Sequence, residues 1–124
     1  MSSFTPITKN ILVIAGDVSG DIHAAGLIRA LKEADPDVRV TSVGGKQMQA
    51  ASDVFLYDLA SKGASGFVEP LKKMPLWIKL MNQIREYMET QNPVALIVVD
   101  FYGFNHQILG MAKHRRIPAY YYVT

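Results

Sequence analysis

The 124-residue sequence contains no cysteine, which excludes disulfide bonds and thiolate metal sites. It has no run of about 18 uncharged apolar residues, the length that a membrane-spanning helix needs. Neither sign of charge dominates, because 13 basic and 11 acidic side chains leave a formal net charge of +2 with no basic block. We therefore expect no nucleic-acid partner. The N-terminus lacks the pattern of a signal peptide, so a reducing cytoplasm fits best.

The composition is that of a folded domain with its own core. Hydrophobic residues make up 49% of the chain and charged residues 19%. A chain of this length matches the size of one typical domain. We predict a single domain over residues 1–124.

Short apolar runs rich in β-branched residues alternate with segments of helical spacing. The runs predict strands at Ile11–Ala15, Val38–Val43, Val54–Tyr57, Val94–Val99 and Pro118–Val123. Helical patterns are predicted at 17–31, 46–51, 67–90 (interrupted by prolines 70 and 75) and 104–114.

Strands that alternate with helices, each reading as a continuous apolar run, are typical of a parallel sheet covered on both faces. We predict an α/β fold, a Rossmann-like three-layer sandwich with about five strands in the order 3-2-1-4-5. Ligands of such folds bind outside the carboxyl ends of the strands, where strands one and four diverge. This rule puts Asp17 and Asp100 at the same edge of the sheet.

The stretch VIAGDVSGDIHAAG, residues 13–26, looks like a phosphate-binding loop but lacks its spacing. Its glycines at 16, 20 and 26 do not form the dinucleotide fingerprint, and there is no Gly-Lys-Ser/Thr. Two carboxylates near the helix start would also repel a phosphate. We interpret Gly16 and Gly20 as turn residues, with Ser19 or Asp21 as the preferred helix cap and Asp17 as a less favoured one.

Asp100 follows the apolar run Val94–Val99, at the point where a strand leaves the core. A partly desolvated carboxylate there can act as a general base, or it can simply cap the next helix. Asn105 can bond a ligand hydroxyl or serve as a cap. The three histidines are scattered without paired spacing, so we expect no zinc site, and no other metal or cofactor is predicted.

The segment 66–81 has more apolar surface than one helix stripe needs, with lysines and a tryptophan interleaved. Such a segment can pack on the sheet. It also matches an interfacial helix that inserts apolar side chains into a membrane surface while lysines meet anionic lipid.

Five motifs in order resemble those of the lipid-A-disaccharide synthase family. AGDVSGDIHAAGLIRALK is similar to its opening A-G-E-x-S-G-D and the small-residue helix after it, and VGGKQMQA is similar to V-G-G-x-x-M. GFVEPLKKM resembles G-x-x-E-V-L, and VVDFYGFN resembles I-D-x-P-x-F-N. PAYYYVT resembles the strand before the family's aromatic loop.

The resemblance implies an inverting glycosyltransferase with two Rossmann-like halves, the GT-B architecture. The family joins UDP-2,3-diacylglucosamine to 2,3-diacylglucosamine 1-phosphate, releasing UDP and forming the β-1,6 disaccharide of lipid A. This chain would be the N-terminal, acceptor-side part, inactive alone. It would act peripherally on the inner face of the bacterial inner membrane, with a homodimer possible through the C-terminal half.

The resemblance also implies roles for individual residues. Asp100 matches the motif aspartate, the candidate catalytic base, and Asp17 stands where the family has glutamate. The substrate-binding residues carried over are Asp17, Ser19, Gly20, Asp21 and Asn105. The residues carried over to membrane or acyl-chain contact are Val68, Leu71, Met74, Trp77 and Ile78.

Two non-catalytic alternatives remain open from the residues alone. One is a flavodoxin-like or receiver-like module in which Asp17 and Asp21 help to bind Mg²⁺. The other is a lipid-binding protein that uses only the segment 66–81.

Overall fold

The computed structural model describes residues 9–59, 74–99 and 105–122, with side chains for all of these except residues 74–77 and 105–106. Within this part of the chain, the strands are β1 (Lys9–Ala15), β2 (Val38–Gly44), β3 (Val54–Asp58), β4 (Ala95–Val99) and β5 (Ala119–Tyr122). The helices are α1 (Val18–Ala34), α2 (Lys46–Ala51), α3 (Met74–Gln91) and α4 (Asn105–His114).

The five strands form one parallel sheet in the order β3-β2-β1-β4-β5. Strand β1 lies at its centre, with Ile14 paired to Val43 of β2 and to Val98 of β4. The predicted class and strand order are therefore confirmed.

Alternate residues of β1 point to opposite faces, and each face has its own apolar cluster. Leu12 and Ile14 belong to a cluster with side chains of α3 and α4, whereas Val13 and Ala15 pack with α1 and α2. Because both faces of the strand are buried from Ile11 to Ala15, this part of its sequence is an unbroken apolar run.

Helix α3 presents an apolar stripe to the sheet. Its buried residues follow the helical repeat and are Leu80, Met81, Ile84, Tyr87 and Met88. Pro75 is the second residue of the helix, where its missing N–H has no intrahelical partner to lose. The helix ends before Asn92, whose φ of 48° is the left-handed conformation that Asn tolerates at helix ends.

The predicted elements agree with the structure to within one or two residues at most ends, and α1 extends to Ala34, three residues beyond the predicted end at 31. The helical pattern predicted from residue 67 is described only from Met74 onward, and its first part lies outside the described residues. Helix α4 begins at Asn105, one residue after the start of the predicted helical pattern at 104.

Candidate functional site

The carboxyl ends of β1, β2 and β4 meet at one edge of the sheet because these strands are parallel neighbours. Ala15 at the end of β1 pairs with Val99 at the end of β4, and Gly44 ends β2. Asp100 follows Val99 directly in the sequence. Asp100 itself lies outside the described residues, so its role as a base remains a prediction.

Asp17 is the N-cap of α1. Its backbone is extended, at φ −140° and ψ 175°, and its Oδ1 accepts a hydrogen bond of 2.6 Å from the Gly20 N–H. The prediction that Ser19 or Asp21 caps this helix is wrong. The helix starts at Val18, which puts the N–H of Gly20 three residues beyond Asp17, within reach of a capping side chain.

Asp21 is almost completely buried, with 4% of its surface exposed. Its Oδ1 accepts hydrogen bonds from the N–H groups of Gly45 at 2.8 Å and Met48 at 2.9 Å, and its Oδ2 accepts one from Gln47 at 3.0 Å. All three donors belong to the turn after β2 and the first residues of α2. The carboxylate of α1 thus bonds to the start of a second helix more than twenty residues away in the chain.

Gly20 lies where the first turn of α1 touches the sheet. A β-carbon at this position would come within 3.3 Å of the Val99 carbonyl oxygen and of the Ala15 side chain, and 3.0 Å from Asp17 Oδ1. Only glycine allows this approach without displacement of its neighbours. The spacing Asp17-x-x-Gly20-Asp21 therefore seats α1 directly against the ends of β1 and β4.

The other predicted site residues fall into three groups. Ser19 is exposed in the first turn of α1, beside Asp17. Asn105 opens α4, at the end of the connection that follows β4, but its side chain is not among those described. Val68 and Leu71 lie outside the described residues.

Three of the predicted membrane-contact residues, Met74, Trp77 and Ile78, belong to the first two turns of α3. The backbones of Met74 and Trp77 are helical, and their side chains are outside those described. Ile78 is exposed over 52% of its surface, and several other large apolar side chains of the described residues are similarly exposed, among them Val18 and Ile22. No helix in the described ranges has the length and apolar character to cross a membrane.

The carboxylates of Asp17 and Asp21 accept hydrogen bonds from backbone N–H groups. Asp17 accepts from one N–H at the start of α1, and Asp21 accepts from three N–H groups at the start of α2, so a carboxylate already faces each helix start and disfavours a phosphate there. In the described ranges no group of three or more His, Cys, Asp or Glu side chains is placed to hold a metal ion. The contacts of Asp21 disfavour the receiver-like hypothesis, since that hypothesis requires Asp21 as a metal ligand and its buried carboxylate already accepts three backbone hydrogen bonds.

Sequence reasoning missed the partner of Asp21. The one available signal is the pair Gly44-Gly45 before a short helix, because α2 has Gly45 as its N-cap and no side-chain cap bond of its own. The first N–H groups of a helix without a capping side chain need acceptors from another part of the chain or from water. The sequence does not say from where.

Comparison with solved structures places the domain among α/β folds. The chain superposes on the C-terminal domain of a hydrogenase from Pyrococcus furiosus with a TM-score of 0.65, at 19% identity and over 95% of both chains. At that identity the likeness shows the shared fold alone. The molecule is thus a doubly wound α/β domain with a polar edge at the carboxyl ends of its strands.

Sequence comparisons give the family. The family model described as lipid-A-disaccharide synthetase matches residues 11–124. The chain is 32% identical to lipid-A-disaccharide synthase 1 of Legionella pneumophila over 96% of its own length, and 35% identical to the synthase of Pectobacterium carotovorum over 98%. It belongs to the lipid-A-disaccharide synthase family. It spans 31% of the length of these two relatives.

Proposed function

We propose that this chain is the N-terminal, acceptor-side part of a lipid-A-disaccharide synthase. The whole enzyme would transfer 2,3-diacylglucosamine from UDP to 2,3-diacylglucosamine 1-phosphate, with UDP as the leaving group and a β-1,6 bond as the product. The observation that carries the proposal is the family match over residues 11–124, which includes Asp100, the residue that follows β4 in the sequence.

In this mechanism Asp100 is the single base that an inverting displacement requires. Its carboxylate takes the proton from the 6-hydroxyl of the acceptor as that oxygen attacks the anomeric carbon of the donor. The bond from the anomeric carbon to UDP breaks, and UDP leaves with the electron pair. Asp17, Ser19, Gly20 and Asn105 would line the acceptor sugar around this base.

The electrostatics of the described edge support a sugar, in preference to a phosphate, as the group that meets it. Asp17 and Asp21 occupy both helix starts, so the negative end of the acceptor is disfavoured there. Uncharged hydroxyls can donate to the exposed carboxylate of Asp17 and accept from Ser19. We infer that the acceptor enters with its 6-hydroxyl toward this edge and its 1-phosphate away from it.

The nucleotide sugar would be held mainly by a second Rossmann-like half in a GT-B arrangement. Catalysis then requires both substrates to be positioned across the cleft between the halves. We expect the 124-residue chain to have no transferase activity alone.

The deciding experiment replaces the proposed base in the full-length protein. Asp100→Asn should lower kcat by roughly 100-fold or more, because positioned general bases contribute about 10²–10⁴-fold, while acceptor binding changes little. Radiolabelled transfer from the UDP-linked donor would be measured beside acceptor affinity.

Asp37→Asn is the matched control, since it removes the same charge from an exposed turn at the opposite edge of the sheet and should leave turnover unchanged. Normal turnover of Asp100→Asn would refute the base assignment. Lipid affinity without transfer by the unaltered protein would favour the non-catalytic lipid-binding alternative.

We also propose that the start of α3, with the apolar residues before it, contacts the membrane surface where the acyl chains of both substrates reside. Support comes from Ile78, exposed on a helix that also carries the exposed Lys79. An apolar side chain beside a lysine is the pattern of helices that rest on anionic lipid. The enzyme would thus work as a peripheral protein on the inner face of the inner membrane.

Ile78→Glu should weaken binding of the full-length protein to vesicles of phosphatidylethanolamine and phosphatidylglycerol by about 10-fold, because it exchanges an inserted apolar group for a repelled charge. Co-sedimentation would measure this. Val94→Glu is the control, since Val94 is 47% exposed but precedes β4 at the opposite edge of the sheet. Equal losses in the two variants would argue against the assignment of this surface.

A further inference from the structure

Asp21 joins two segments of the chain, α1 and the turn after β2, through its side chain. It belongs to the first turn of α1, the same turn that carries Asp17, Ser19 and Gly20. Its carboxylate nevertheless bonds entirely to another segment, through the N–H groups of Gly45, Gln47 and Met48. With 4% of its surface exposed and three donors in place, it has little capacity left for a substrate.

Among the described residues, Asp21 provides the side-chain hydrogen bonds to the turn after β2. Gly45 is the N-cap of α2 and makes no side-chain cap bond, so Asp21 supplies that function from a different helix. Gly44 precedes it, and a β-carbon there would collide with the side chain of Met48, which is fully buried. Two consecutive glycines give the backbone unusual freedom, which the carboxylate removes.

We propose that Asp21 is a positioning residue of the acceptor site and not a substrate ligand. Its buried carboxylate locks the turn after β2 to the first turn of α1, so that the two segments bordering the carboxyl edge of the sheet keep one relative placement. This inference rests on the proposed function and deepens it. It assigns Asp21, the third polar residue of the opening motif, the role of positioning the segments that bind the acceptor.

The arrangement predicts how loss of the carboxylate acts on the reaction. Without the carboxylate, no hydrogen bond to Asp21 joins the first turn of α1 to the turn at residues 44–45. The two segments can then move relative to each other, and the acceptor hydroxyl is positioned less accurately. Misplacement of a reacting group lowers the rate of the chemical step. Donor affinity should stay unchanged, because the proposed donor site belongs to the other half of the enzyme.

The test compares Asp21→Asn and Asp21→Ser by two measurements. Amide hydrogen exchange in the 124-residue chain reports the protection of Gly45, Gln47 and Met48. Steady-state kinetics of the full-length protein report kcat and the KM for each substrate. Asp37→Asn is again the control and should match the unaltered protein in both.

An amide side chain has one acceptor oxygen where the carboxylate has two. Asp21→Asn should therefore lower protection mainly at one segment of the turn, by about 10-fold. The shorter serine cannot reach all three donors, so Asp21→Ser should lower protection at all of them by roughly 10- to 100-fold. We expect kcat to fall in the same order, with Asp21→Asn between the unaltered protein and Asp21→Ser, and the donor KM to stay constant.

Two results would overturn the proposal. If Asp21→Asn keeps full protection but loses acceptor binding, Asp21 contacts the substrate directly. If Asp21→Ser loses protection while kcat is unchanged, the contact serves the fold alone. Absence of transfer by the unaltered full-length protein is a different result: it refutes the proposed function, and with it any positioning role in that reaction, whatever the exchange pattern.

Discussion

The two edges of the sheet use aspartate in opposite ways. At the amino edge, Asp35 pairs with Lys9 at 2.8 Å and Asp53 pairs with Lys32 at 2.6 Å, and all four side chains are partly exposed. At the carboxyl edge, the carboxylates of Asp17 and Asp21 accept from backbone N–H groups. In the part of the chain that the structure describes, no Lys or Arg forms an ion pair with either of them.

The difference sets the amino edge apart from the edge at which we propose the acceptor site. Exposed ion pairs contribute little, since water and salt screen them and two flexible side chains must be ordered. A carboxylate bonded to backbone amides fixes the backbone itself and leaves the negative charge without a cation. The carboxyl edge therefore combines a rigid frame with an anionic character that suits hydroxyl groups. Changes there should cost more than changes at the amino edge.

The largest effect in this comparison is expected at Gly20. Gly20→Ala should lower the free energy of unfolding by about 1–2 kcal/mol, because the new methyl group meets the backbone of β4 and the end of β1, and this outweighs the better helix propensity of alanine. Chemical denaturation of the 124-residue chain would measure it.

Gly26 provides a matched control within the same helix. A β-carbon there meets nothing within 4 Å, so Gly26→Ala should raise stability by about 0.5–1 kcal/mol. Equal stabilisation by both substitutions would show that α1 is not seated closely against the strand ends.

A smaller effect is expected at the cap of α1. Asp17→Ala removes the acceptor of the Gly20 N–H and should cost about 1 kcal/mol. Thermal unfolding followed by circular dichroism would detect the change. Asp37→Ala, at the exposed turn of the amino edge, should stay within about 0.5 kcal/mol of the unaltered chain. A larger loss from Asp37→Ala than from Asp17→Ala would reverse the contrast between the edges.

The smallest effect is expected at the amino edge and depends on pH. Burial by itself would raise the pKa of Asp53, but bonds from the Lys32 ammonium and the Val40 N–H outweigh it and hold that pKa below the ordinary value of 3.8. A depressed pKa in the folded state stabilises the fold above the unfolded-state value, and the contribution is lost as pH falls through the folded-state value. It is therefore present at pH 7 and disappears in the acid range below about 4.

Lys32→Met should accordingly cost roughly 0.2–1 kcal/mol at pH 7. This difference from the unaltered chain should shrink as the pH falls below about 4. Urea unfolding at a series of pH values would test it, with Lys79→Met as a control, since Lys79 is exposed on α3 and forms no ion pair with the residues that the structure describes. A difference that persists undiminished at low pH would mean that the aliphatic stem of Lys32, and not its charge, supports the fold.

Much of the fold could be predicted because its signals are local. The run Ile11–Ala15 is apolar throughout since both faces of β1 are covered, and Lys46–Ala51 was predicted with its observed bounds. The order of strands followed from general rules for parallel sheets. The N-cap of α1 was predicted wrongly among several closely spaced polar residues, because the choice depends on where the first helical turn begins.

The candidate site was predictable in its location but not in its contacts. Parallel topology puts the residues after β1, β2 and β4 at one edge, which any strand assignment reveals. The bonds of Asp21 connect it to residues 24 to 27 positions away, and no pattern of residue types along the chain encodes them. The same carboxylate could have faced a ligand if α1 were rotated by a fraction of a turn.

The sequence by itself determined the α/β class, the strand order, the glycine positions and, through its motifs, the family of this chain, because periodicity and spacing are properties of neighbouring residues. Only the tertiary structure decided which aspartate caps its own helix, which one holds the turn after β2, and that Gly20 must pass close to Val99. These outcomes depend on how helices dock on a sheet, since burial and hydrogen-bond geometry arise only when distant segments are brought together.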